Sequence, residues 1–471
     1  MVATHGAQVV VASNRGPVSY AGREAKRGGG GLVSGLSAIG PDAGALWVCA
    51  ALSDDDREAA RRGGARLAEE DTGGQAVRML DIPAETFHAA YNDIANSVLW
   101  FIHHQLYQTP LEPVFDAAFR RKWAAYEAYN EAFAAAIAEE AAEGAAVVVQ
   151  DYHLCLVPGL LRERRPDLRI GHFSHTPWAP PDYFRILPDD IAEQLLQGIL
   201  GADRAAFLTE RWAEAFARCC EERFGDTQGT WLGVHALGAD ADFLRARSQR
   251  ADVAERMAAL RAEIGGEGRR TVVRVDRTEL SKNIVRGLRA YEALLRDHPE
   301  HRERVVHLAF AYPSRQDLAV YRDYTAEVER VAEEINSRYG TPGWRPVVLH
   351  VKDDFARSLA AYRIADVALV NPIRDGMNLV AKEIPVVSDD GCALVLSREA
   401  GAYAELGEDA LTVNPYDVEQ TARALHEGLV MEPEERAERT KRLAATATTL
   451  PPAAWFMEQL DALREGPGKP D

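Results

Sequence analysis

The sequence lacks the features that would direct it to a membrane, to secretion or to a disulfide-rich fold. No run of about 18 apolar residues occurs, so no segment is typical of a membrane-spanning helix. The N-terminus has no basic stretch followed by an apolar one, so no export signal is visible. The five cysteines show no CxxC spacing, which predicts reduced, buried thiols. We therefore expect a cytoplasmic protein.

Positive charge is also scarce. The chain carries 54 basic and 72 acidic residues, a net charge of −18, which argues against nucleic acid or an anionic membrane as a partner. Lysine is especially rare, at Lys26, Lys122, Lys282, Lys352, Lys382, Lys441 and Lys469. A phosphorylated ligand would therefore need a local cluster of cations against an acidic background. Oligomeric state is open from sequence, and a homo-oligomer is compatible with it.

Short apolar runs alternate with helical patterns along all 471 residues. The runs are continuous rather than alternating, which is typical of parallel strands covered by helices on both faces. The predicted strands are residues 8–12, 46–50, 146–150, 170–174, 205–209, 271–275, 305–310, 347–351, 367–370, 393–396 and 411–413. Helical periodicity is clearest at 122–142 and 284–295. Two sets of five or six strands predict an α/β protein with two Rossmann-like domains.

The predicted N-terminal domain is 1–240, and a C-terminal helix at 453–471 crosses back to it. The predicted C-terminal domain is 241–452. Six polar residues each follow the end of a predicted strand: Arg15, Asp151, His175, Arg277, Arg315 and Asp375. Ligands of open parallel sheets bind at that edge, so these residues predict a cleft between the domains.

The most informative motif is residues 375–383, Asp-Gly-Met-Asn-Leu-Val-Ala-Lys-Glu. It follows an apolar run and starts a predicted helix, so Asp375 and Gly376 lie where free helix amides bind anions. Glu383 lies about two helical turns deeper. The spacing suits a nucleotide-sugar, with Asp375 for sugar hydroxyls, amides for a diphosphate and Glu383 for a ribose diol. The alternative is an ordinary helix-capping Asp, which would be favoured if the motif stood alone.

Two further segments predict anion sites. Arg277 and Lys282 follow a strand and precede a helix, so they are placed to bracket a diphosphate, although a pair of solvated charges is the usual alternative. Residues 28–31 are four glycines before a helical stretch at 32–39, which permits close approach to a phosphate but equally fits a flexible loop. The glycines do not match a GxGxxG signature.

A second anion site is predicted from Arg15 and Arg315, which would meet if the domains close. Tyr91 and Trp100 are candidates for a sugar-stacking face and a phosphate-binding hydroxyl, but aromatics at this spacing are more often core. His175 is predicted to be a neutral hydrogen-bonding residue. The chain shows no cysteine or histidine pattern for a metal, so we expect neither a metal nor another cofactor.

Taken together, these segments resemble the trehalose-6-phosphate synthase family of retaining glycosyltransferases, which have the two-Rossmann GT-B fold. The residues that carry the resemblance are Asn14-Arg15, Gly30-Gly31-Leu32, Tyr91-Asn92, Leu99-Trp100, Asp151-Tyr152-His153-Leu154, His175-Thr176-Pro177-Trp178, Arg277 with Lys282, Pro313-Ser314-Arg315 and residues 375–383. The last is highly specific, and the others are individually weak but jointly strong. The family has Gly where this chain has Asn283, and Ile384-Pro385 after Glu383 is also less typical.

The resemblance implies transfer of glucose, with retention, from a nucleoside-diphosphate-glucose to glucose 6-phosphate, giving α,α-trehalose 6-phosphate. It implies a metal-independent, front-face reaction without a covalent glycosyl-enzyme. The implied catalytic residues are Asp375, Arg277, Lys282 and His175. The implied donor-binding residues are Gly30, Gly31, Gly376, Met377, Asn378, Leu379, Val380 and Glu383. The implied acceptor-binding residues are Arg15, Tyr91, Trp100, Asp151 and Arg315.

The donor base and two alternative functions stay open. Asp354 follows a predicted strand where the base should lie, and a carboxylate there would favour GDP-glucose over UDP-glucose because guanine offers two donors. Some features also resemble pseudo-glycosyltransferases of the same superfamily, which join a nucleotide-cyclitol to a phosphorylated aminocyclitol. A catalytically silent binding or regulatory paralogue is the third interpretation, although the residues whose loss would signal it are present.

Overall fold

Valine-rich apolar runs form two separate parallel sheets in the computed structural model, which describes residues 6–28, 45–64, 66–265 and 268–466. The chain divides into two compact units. The N-terminal unit comprises residues 1–236 and 452–471, and the C-terminal unit comprises residues 237–451. The parallel α/β architecture predicted from the sequence is confirmed. No helix in the described part of the chain is both long enough and apolar enough to cross a membrane.

The N-terminal unit contains a seven-stranded parallel sheet of order β5-β4-β1-β6-β7-β8-β9 and a separate β2–β3 hairpin. Its strands are β1 Ala7–Ser13, β2 Val18–Ala21, β3 Glu24–Arg27, β4 Ala45–Ala50, β5 Ala76–Leu80, β6 Ala141–Gln150, β7 Arg169–Ser174, β8 Arg204–Phe207 and β9 Trp231–Val234. The central strand β1 is buried from Val9 onward, which explains its continuous apolar sequence.

The helices of this unit cover the sheet. They are α1 Asp54–Arg62, α2 Glu69–Thr72, α3 Ala84–His88, α4 Trp100–His104, α5 Ala117–Glu140, α6 Val157–Arg164, α7 Pro181–Phe184, α8 Asp189–Leu200 and α9 Glu210–Phe224. A π-helical segment, Ala89–Leu99, joins α3 to α4. The C-terminal helix Pro452–Glu465 belongs to this unit, where Trp455 is fully buried and donates its indole N–H to the carbonyl of His235 at 3.0 Å.

The C-terminal unit contains a six-stranded parallel sheet of order β12-β11-β10-β13-β14-β15. Its strands are β10 Arg270–Arg277, β11 Val305–Tyr312, β12 Val347–His350, β13 Val367–Val370, β14 Ala393–Ser397 and β15 Leu411–Val413. In register, Val273 lies between Leu308 of β11 and Ala368 of β13. The carboxyl ends of β10, β11 and β13 therefore meet at one edge.

The helices of the C-terminal unit are α10 Ala241–Ser248, α11 Ala251–Ile264, α12 Ile284–Asp297, α13 Ala319–Tyr339, α14 Phe355–Arg363, α15 Leu379–Val387, α16 Tyr403–Leu406, α17 Val418–Val430 and α18 Pro433–Ala447. All the strands predicted from the sequence lie in the two sheets. The prediction missed the hairpin strands β2 and β3, and in the sheet it missed β5, whose centre carries Arg78, and β9, an edge strand that is only partly buried. Arg78 interrupts the apolar sequence of β5, and Gly233 interrupts that of β9.

Candidate functional site

The edge of the C-terminal sheet brings Lys282 and Asp375 together from two motifs that are 93 residues apart in sequence. Lys282 follows β10 in a short 3₁₀ turn, and Asp375 follows β13. The Lys282 Nζ lies 2.5 Å from Asp375 Oδ2. Burial opposes the charge of Lys282, but Asp375, Asp276 and Glu279 outweigh burial and raise its pKa. Lys282 is therefore held as a cation at the strand ends.

Arg274, which was not among the residues predicted from the sequence, supports Lys282. Its side chain is buried, donates from one guanidinium nitrogen to Asp276 Oδ2 at 2.8 Å, and donates to the carbonyl of Lys282 at 2.9 Å. Charged residues inside a buried valine-rich strand are costly unless they are paired. The pattern Val-Val-Arg-Val-Asp at 272–276 was thus a signal that could have revealed this support.

Asn283 occupies a position where the trehalose-6-phosphate synthase family usually has glycine. The backbone conformation at this position accommodates either residue. Its φ is +59°, a left-handed conformation that glycine adopts freely and asparagine tolerates. The Asn283 side-chain amide donates to the carbonyls of Asn371 and Pro415 at 2.9 and 2.7 Å. The substitution therefore keeps the turn after Lys282 and fastens it to the neighbouring loops.

The motif 375–383 forms the start of α15, as predicted. Asn378 has a φ of +74° and caps the helix, because its side-chain oxygen accepts from the amide of Ala381 at 3.3 Å. Its side-chain nitrogen donates to Asp375 Oδ2 at 3.0 Å, so the cap also orients the carboxylate. Leu379 and Val380 are the first two residues of α15, with amides at the helix end that attracts anions.

Close backbone packing fixes the same turn. A Cβ on Gly401 would lie 1.9 Å from the carbonyl oxygen of Gly376, so that approach requires glycine. Met377 is buried, and its carbonyl accepts from the amide of Ala402 at 2.8 Å. Lys382 is fully buried and pairs with Glu405 at 2.5 Å, which makes it a structural residue of this unit.

Glu383 has an unusual protonation equilibrium. Burial raises its pKa to about 7, and a hydrogen bond from Tyr362 only partly offsets that effect. Tyr362 lies on α14 and is almost fully buried. The pKa of the carboxyl group predicted to bind a ribose diol therefore lies close to neutral pH. Tyr362 was missed because it comes from a different element and no sequence motif includes it.

A buried carboxylate, Glu279, connects the two arginines of this edge. Glu279 Oε1 lies 3.2 Å from an Arg277 guanidinium nitrogen and accepts from the hydroxyl of Ser314 at 3.0 Å, while Oε2 lies 3.7 Å from Arg315. Burial favours the neutral acid, but Arg277, Arg315 and Lys282 outweigh it and lower the pKa of Glu279 to about 2. Glu279 was not among the predicted site residues, because only the cations of residues 276–282 were considered for binding a diphosphate.

Arg277 and Arg315 differ in exposure although they share Glu279. The Arg277 side chain is 60% exposed, whereas that of Arg315 is 11% exposed. Arg315 also donates to the hydroxyl of Tyr321 at 3.1 Å and has a φ of +49°. Arg315 is thus fixed in place, and Arg277 keeps most of its guanidinium accessible to an anion.

Asp354 has structural partners on both carboxylate oxygens. It caps α14 by accepting from the amide of Arg357 at 3.0 Å, and its other oxygen lies 2.8 Å from Arg256. Contact with a nucleobase would have to compete with these interactions. Its predicted role in reading the donor base stays a prediction.

In the N-terminal unit, Arg15 lies just after the central strand β1 and its side chain is exposed. The loop that carries it is rigidly held. Ser13 donates its hydroxyl to the carbonyl of Arg15 at 2.7 Å and accepts from the indole of Trp47 at 2.7 Å. Tyr129 donates to the side-chain oxygen of Asn14 at 2.6 Å. An exposed guanidinium on a fixed loop is suited to bind an anion.

Aromatic rings surround the next two candidates. Tyr91 lies in the π-helical segment and stacks between Phe87 and His153, at centroid distances of 5.2 and 5.4 Å. Trp100 stacks on His104 at 3.8 Å. π-Helical geometry is rare and occurs frequently at functional sites. Both rings are half-buried, so each keeps some surface for a ligand.

Asp151 and His175 follow the adjacent strands β6 and β7 and contact each other. Asp151 Oδ1 accepts from the amide of His175 at 3.1 Å, and His175 Nε2 lies 2.7 Å from the side-chain oxygen of Gln150. Burial lowers the pKa of His175, although Asp151 opposes that shift. A neutral imidazole that donates from Nε2 leaves Nδ1 as an acceptor. Asp151 also has a φ of +74°, a strained conformation for a residue other than glycine.

Within each unit the structure thus gathers predicted residues at the carboxyl edge of the sheet. In the C-terminal unit, Lys282 pairs with Asp375 and Glu279 joins Arg277 to Arg315, while the amide of Lys282 donates to the carbonyl of Glu279 at 3.0 Å. Asp151 and His175 form a pair in the N-terminal unit. Gly30 and Gly31 lie outside the described residues.

Comparison with known proteins places this geometry in a family. The model of glycosyltransferase family 20 matches residues 7–465. A UDP-forming α,α-trehalose-phosphate synthase from Aspergillus niger is 33% identical over 473 residues, covering 95% of this chain and 95% of the relative. A structure from E. coli bound with UDP-2-fluoro glucose is similar, with a TM-score of 0.84, 28% identity, and coverage of 97% of this chain and 99% of that one. The chain belongs to glycosyltransferase family 20.

Some relatives are longer than this chain. A bifunctional trehalose-6-phosphate synthase/phosphatase from Thermoproteus tenax is 32% identical over 460 residues, which cover 93% of this chain but 60% of the relative. The chain therefore spans about three-fifths of the length of that protein. The resemblance to the trehalose-6-phosphate synthase family inferred from the motifs is confirmed.

Proposed function

We propose that this protein is a retaining glucosyltransferase that moves glucose from UDP-glucose to glucose 6-phosphate and forms α,α-trehalose 6-phosphate. The observation that carries the proposal is the Lys282–Asp375 pair at the start of α15, where a cation, a carboxylate and helix amides lie together. The Aspergillus niger relative is a UDP-forming synthase of this product, and the E. coli structure holds a UDP-glucose analogue.

The C-terminal unit would hold the donor. Lys282 and Arg277 would bind the diphosphate, assisted by the amides of Leu379 and Val380. Asp375 and the backbone at Gly376, Met377 and Asn378 would bind the glucosyl hydroxyls, and Glu383 the ribose diol. Cations that are already fixed stabilise the charge that develops on the departing diphosphate without further reorganisation.

The transfer would proceed on one face of the glucose ring. The bond between the anomeric carbon and the diphosphate oxygen breaks, and a bond to the hydroxyl oxygen of the acceptor forms on the same side. The acceptor's proton passes to the departing phosphate oxygen, so no side chain has to serve as general base. This agrees with the neutral state of His175, which would accept a hydrogen bond from a sugar hydroxyl through Nδ1 rather than shuttle protons.

The acceptor would be bound by Arg15, Tyr91 and Arg315 through its 6-phosphate, and by Trp100 and Asp151 along its sugar ring. The exposed guanidinium of Arg15 on its fixed loop supports this role. We further propose a cytoplasmic location and action without nucleic acid or membrane as a partner.

The donor base is proposed to be uracil. Both oxygens of Asp354 have partners in the protein, which weakens the argument from sequence for guanine. Comparable or greater turnover with GDP-glucose than with UDP-glucose would contradict the choice of uracil. Because fixed cations would take the place of Mg²⁺ at the diphosphate, full activity is expected in EDTA, and abolition by the chelator would contradict that expectation.

The experiment that tests the function is incubation of the purified chain with glucose 6-phosphate and either UDP-glucose or GDP-glucose. The expected result is release of the nucleoside diphosphate with formation of α,α-trehalose 6-phosphate. Turnover only with a nucleotide-cyclitol and a phosphorylated aminocyclitol would favour the pseudo-glycosyltransferase. Ligand binding without turnover of any pair would favour the silent paralogue.

A further inference from the structure

Three histidines and a glutamate meet at the amino-terminal side of the C-terminal sheet, far from the candidate active site. His298 and Glu300 follow α12, His301 ends the 3₁₀ turn Pro299–His301, and His426 lies on α17. Helix α12 starts next to Lys282 and has 14 residues, so the cluster lies about 20 Å from that lysine. The proposed transfer reaction uses none of these residues.

The ligand atoms of three of these residues are already close together. One ligand atom each from His298, Glu300 and His426 lies within 4.8 Å of the other two. The rings of His298 and His426 are nearly parallel, with centroids 3.7 Å apart, and His298 Nδ1 lies 3.2 Å from Glu300 Oε1. Two imidazoles and one carboxylate, with a water in the fourth position, are a common ligand set for zinc.

The fourth residue, His301, orients one of these ligands. Its Nε2 lies 2.9 Å from Nδ1 of His426. When the Nδ1–H of His426 donates to His301, the Nε2 lone pair of His426 is left for a metal. Histidine ligands almost always donate their second N–H to such a partner, which fixes the tautomer and the ring.

The cluster is open to solvent on one side. The side chains of His298 and Glu300 are 30% and 55% exposed, which gives an ion access from solvent.

We propose that His298, Glu300 and His426 form a site for a divalent first-row transition metal, with Zn²⁺ as the best-fitting ion. Imidazole ligands select Zn²⁺, Ni²⁺ or Cu²⁺ over Mg²⁺ and Ca²⁺. The site links the end of α12 to α17, so a bound metal stabilises this side of the C-terminal unit. The rings of His298 and His426 are stacked, so they have to rotate out of this arrangement to direct both lone pairs at one ion. The role is structural, because ligands of the reaction bind at the opposite edge of the sheet.

The test is titration of tag-free, EDTA-treated full-length protein with Co²⁺, a spectroscopic substitute for Zn²⁺, followed by competition with Zn²⁺. Wild type should bind one equivalent with visible d–d bands that Zn²⁺ abolishes, and Zn²⁺ should raise the melting temperature. His298→Ala, Glu300→Gln and His426→Ala should each weaken binding by at least about tenfold, and His301→Ala by about 10–100-fold.

The matched control is His88→Ala, which removes a partly exposed histidine from the N-terminal unit and should bind Co²⁺ like wild type. Circular dichroism without metal checks that each variant folds. His298 and Glu300 are at least partly exposed, so their variants keep the test informative if His426→Ala does not fold. Binding of wild type no tighter than that of His298→Ala, or equal effects of His88→Ala and His298→Ala, would overturn the proposal.

Discussion

The two sheet edges that carry the candidate site residues are built on different physical principles. In the C-terminal unit, Lys282 pairs with Asp375 at 2.5 Å, and the buried Glu279 lies 3.2 Å from Arg277 and 3.7 Å from Arg315. In the N-terminal unit, the candidates are stacked rings, a neutral histidine and the exposed Arg15. We propose that charge stabilisation belongs to the C-terminal edge, and recognition by shape to the N-terminal edge.

The largest effect is expected from Lys282→Ala, which breaks the pair with Asp375. Loss of one fixed cation that stabilises the departing diphosphate should lower kcat by about 10²–10³-fold. Steady-state kinetics with UDP-glucose and glucose 6-phosphate measure this effect. Lys441→Ala, an exposed lysine on α18, is the matched control and should leave kcat unchanged. Retention of more than half of the wild-type kcat in Lys282→Ala would contradict the role of Lys282.

A smaller and different effect is expected from Arg15→Ala at the other edge. Removal of charge-assisted hydrogen bonds to the acceptor phosphate should raise KM for glucose 6-phosphate by about 10–100-fold. KM for UDP-glucose and the melting temperature should be unchanged, because the Arg15 side chain is exposed. The control is Arg23→Ala, an exposed arginine in the β2–β3 turn. An equal rise in both KM values would remove the distinction between the edges.

Glu279→Gln tests whether the buried carboxylate positions both arginines. With the anion gone, Arg277 and Arg315 lose a shared counter-ion, and kcat/KM should fall by about tenfold. KM for glucose 6-phosphate should rise together with that for UDP-glucose, because the two arginines are proposed to bind different ligands. Glu279→Asp should restore part of the activity. A fall in melting temperature with unchanged kinetic constants would show that Glu279 acts only in folding.

The smallest effect concerns the pH dependence caused by Glu383. Since burial raises the pKa of this group to about 7, kcat/KM for UDP-glucose should fall as pH drops below 7 and the carboxylate gains a proton. Glu383→Gln should have a lower but flat profile over that range. If kcat/KM of Glu383→Gln still falls below pH 7, the titration belongs to another group.

The raised pKa of Glu383 also makes the stability of the protein depend on pH. The folded-state pKa of Glu383 exceeds the unfolded value near 4.3, so the folded state binds more protons between those two values. The contribution of Glu383 to the free energy of unfolding should therefore fall as pH rises from about 4.3 to about 7. Glu383→Gln should remove that contribution, and thermal melts of both proteins across this range measure it.

Much of the fold was predictable because buried parallel strands have continuous apolar sequences. Strands β5 and β9 are exceptions, because Arg78 interrupts the apolar sequence of β5 and β9 is only partly buried. The residues of the candidate site were found where a motif carries them, as at Lys282 and Asp375. Arg274, Glu279 and Tyr362 were missed because their importance comes from pairing within the folded unit. Such pairs leave only a weak trace in sequence, namely an uncommon charge in a buried segment.

The most direct test of the account is calorimetric titration of UDP into wild type, Arg277→Ala and Arg15→Ala. The exposed guanidinium of Arg277 is proposed to bind the diphosphate, and that of Arg15 the acceptor phosphate. The account predicts that Arg277→Ala weakens UDP binding by at least about tenfold while Arg15→Ala binds UDP like wild type. Equal UDP affinity in Arg277→Ala and wild type, or an equal loss in both variants, would contradict it.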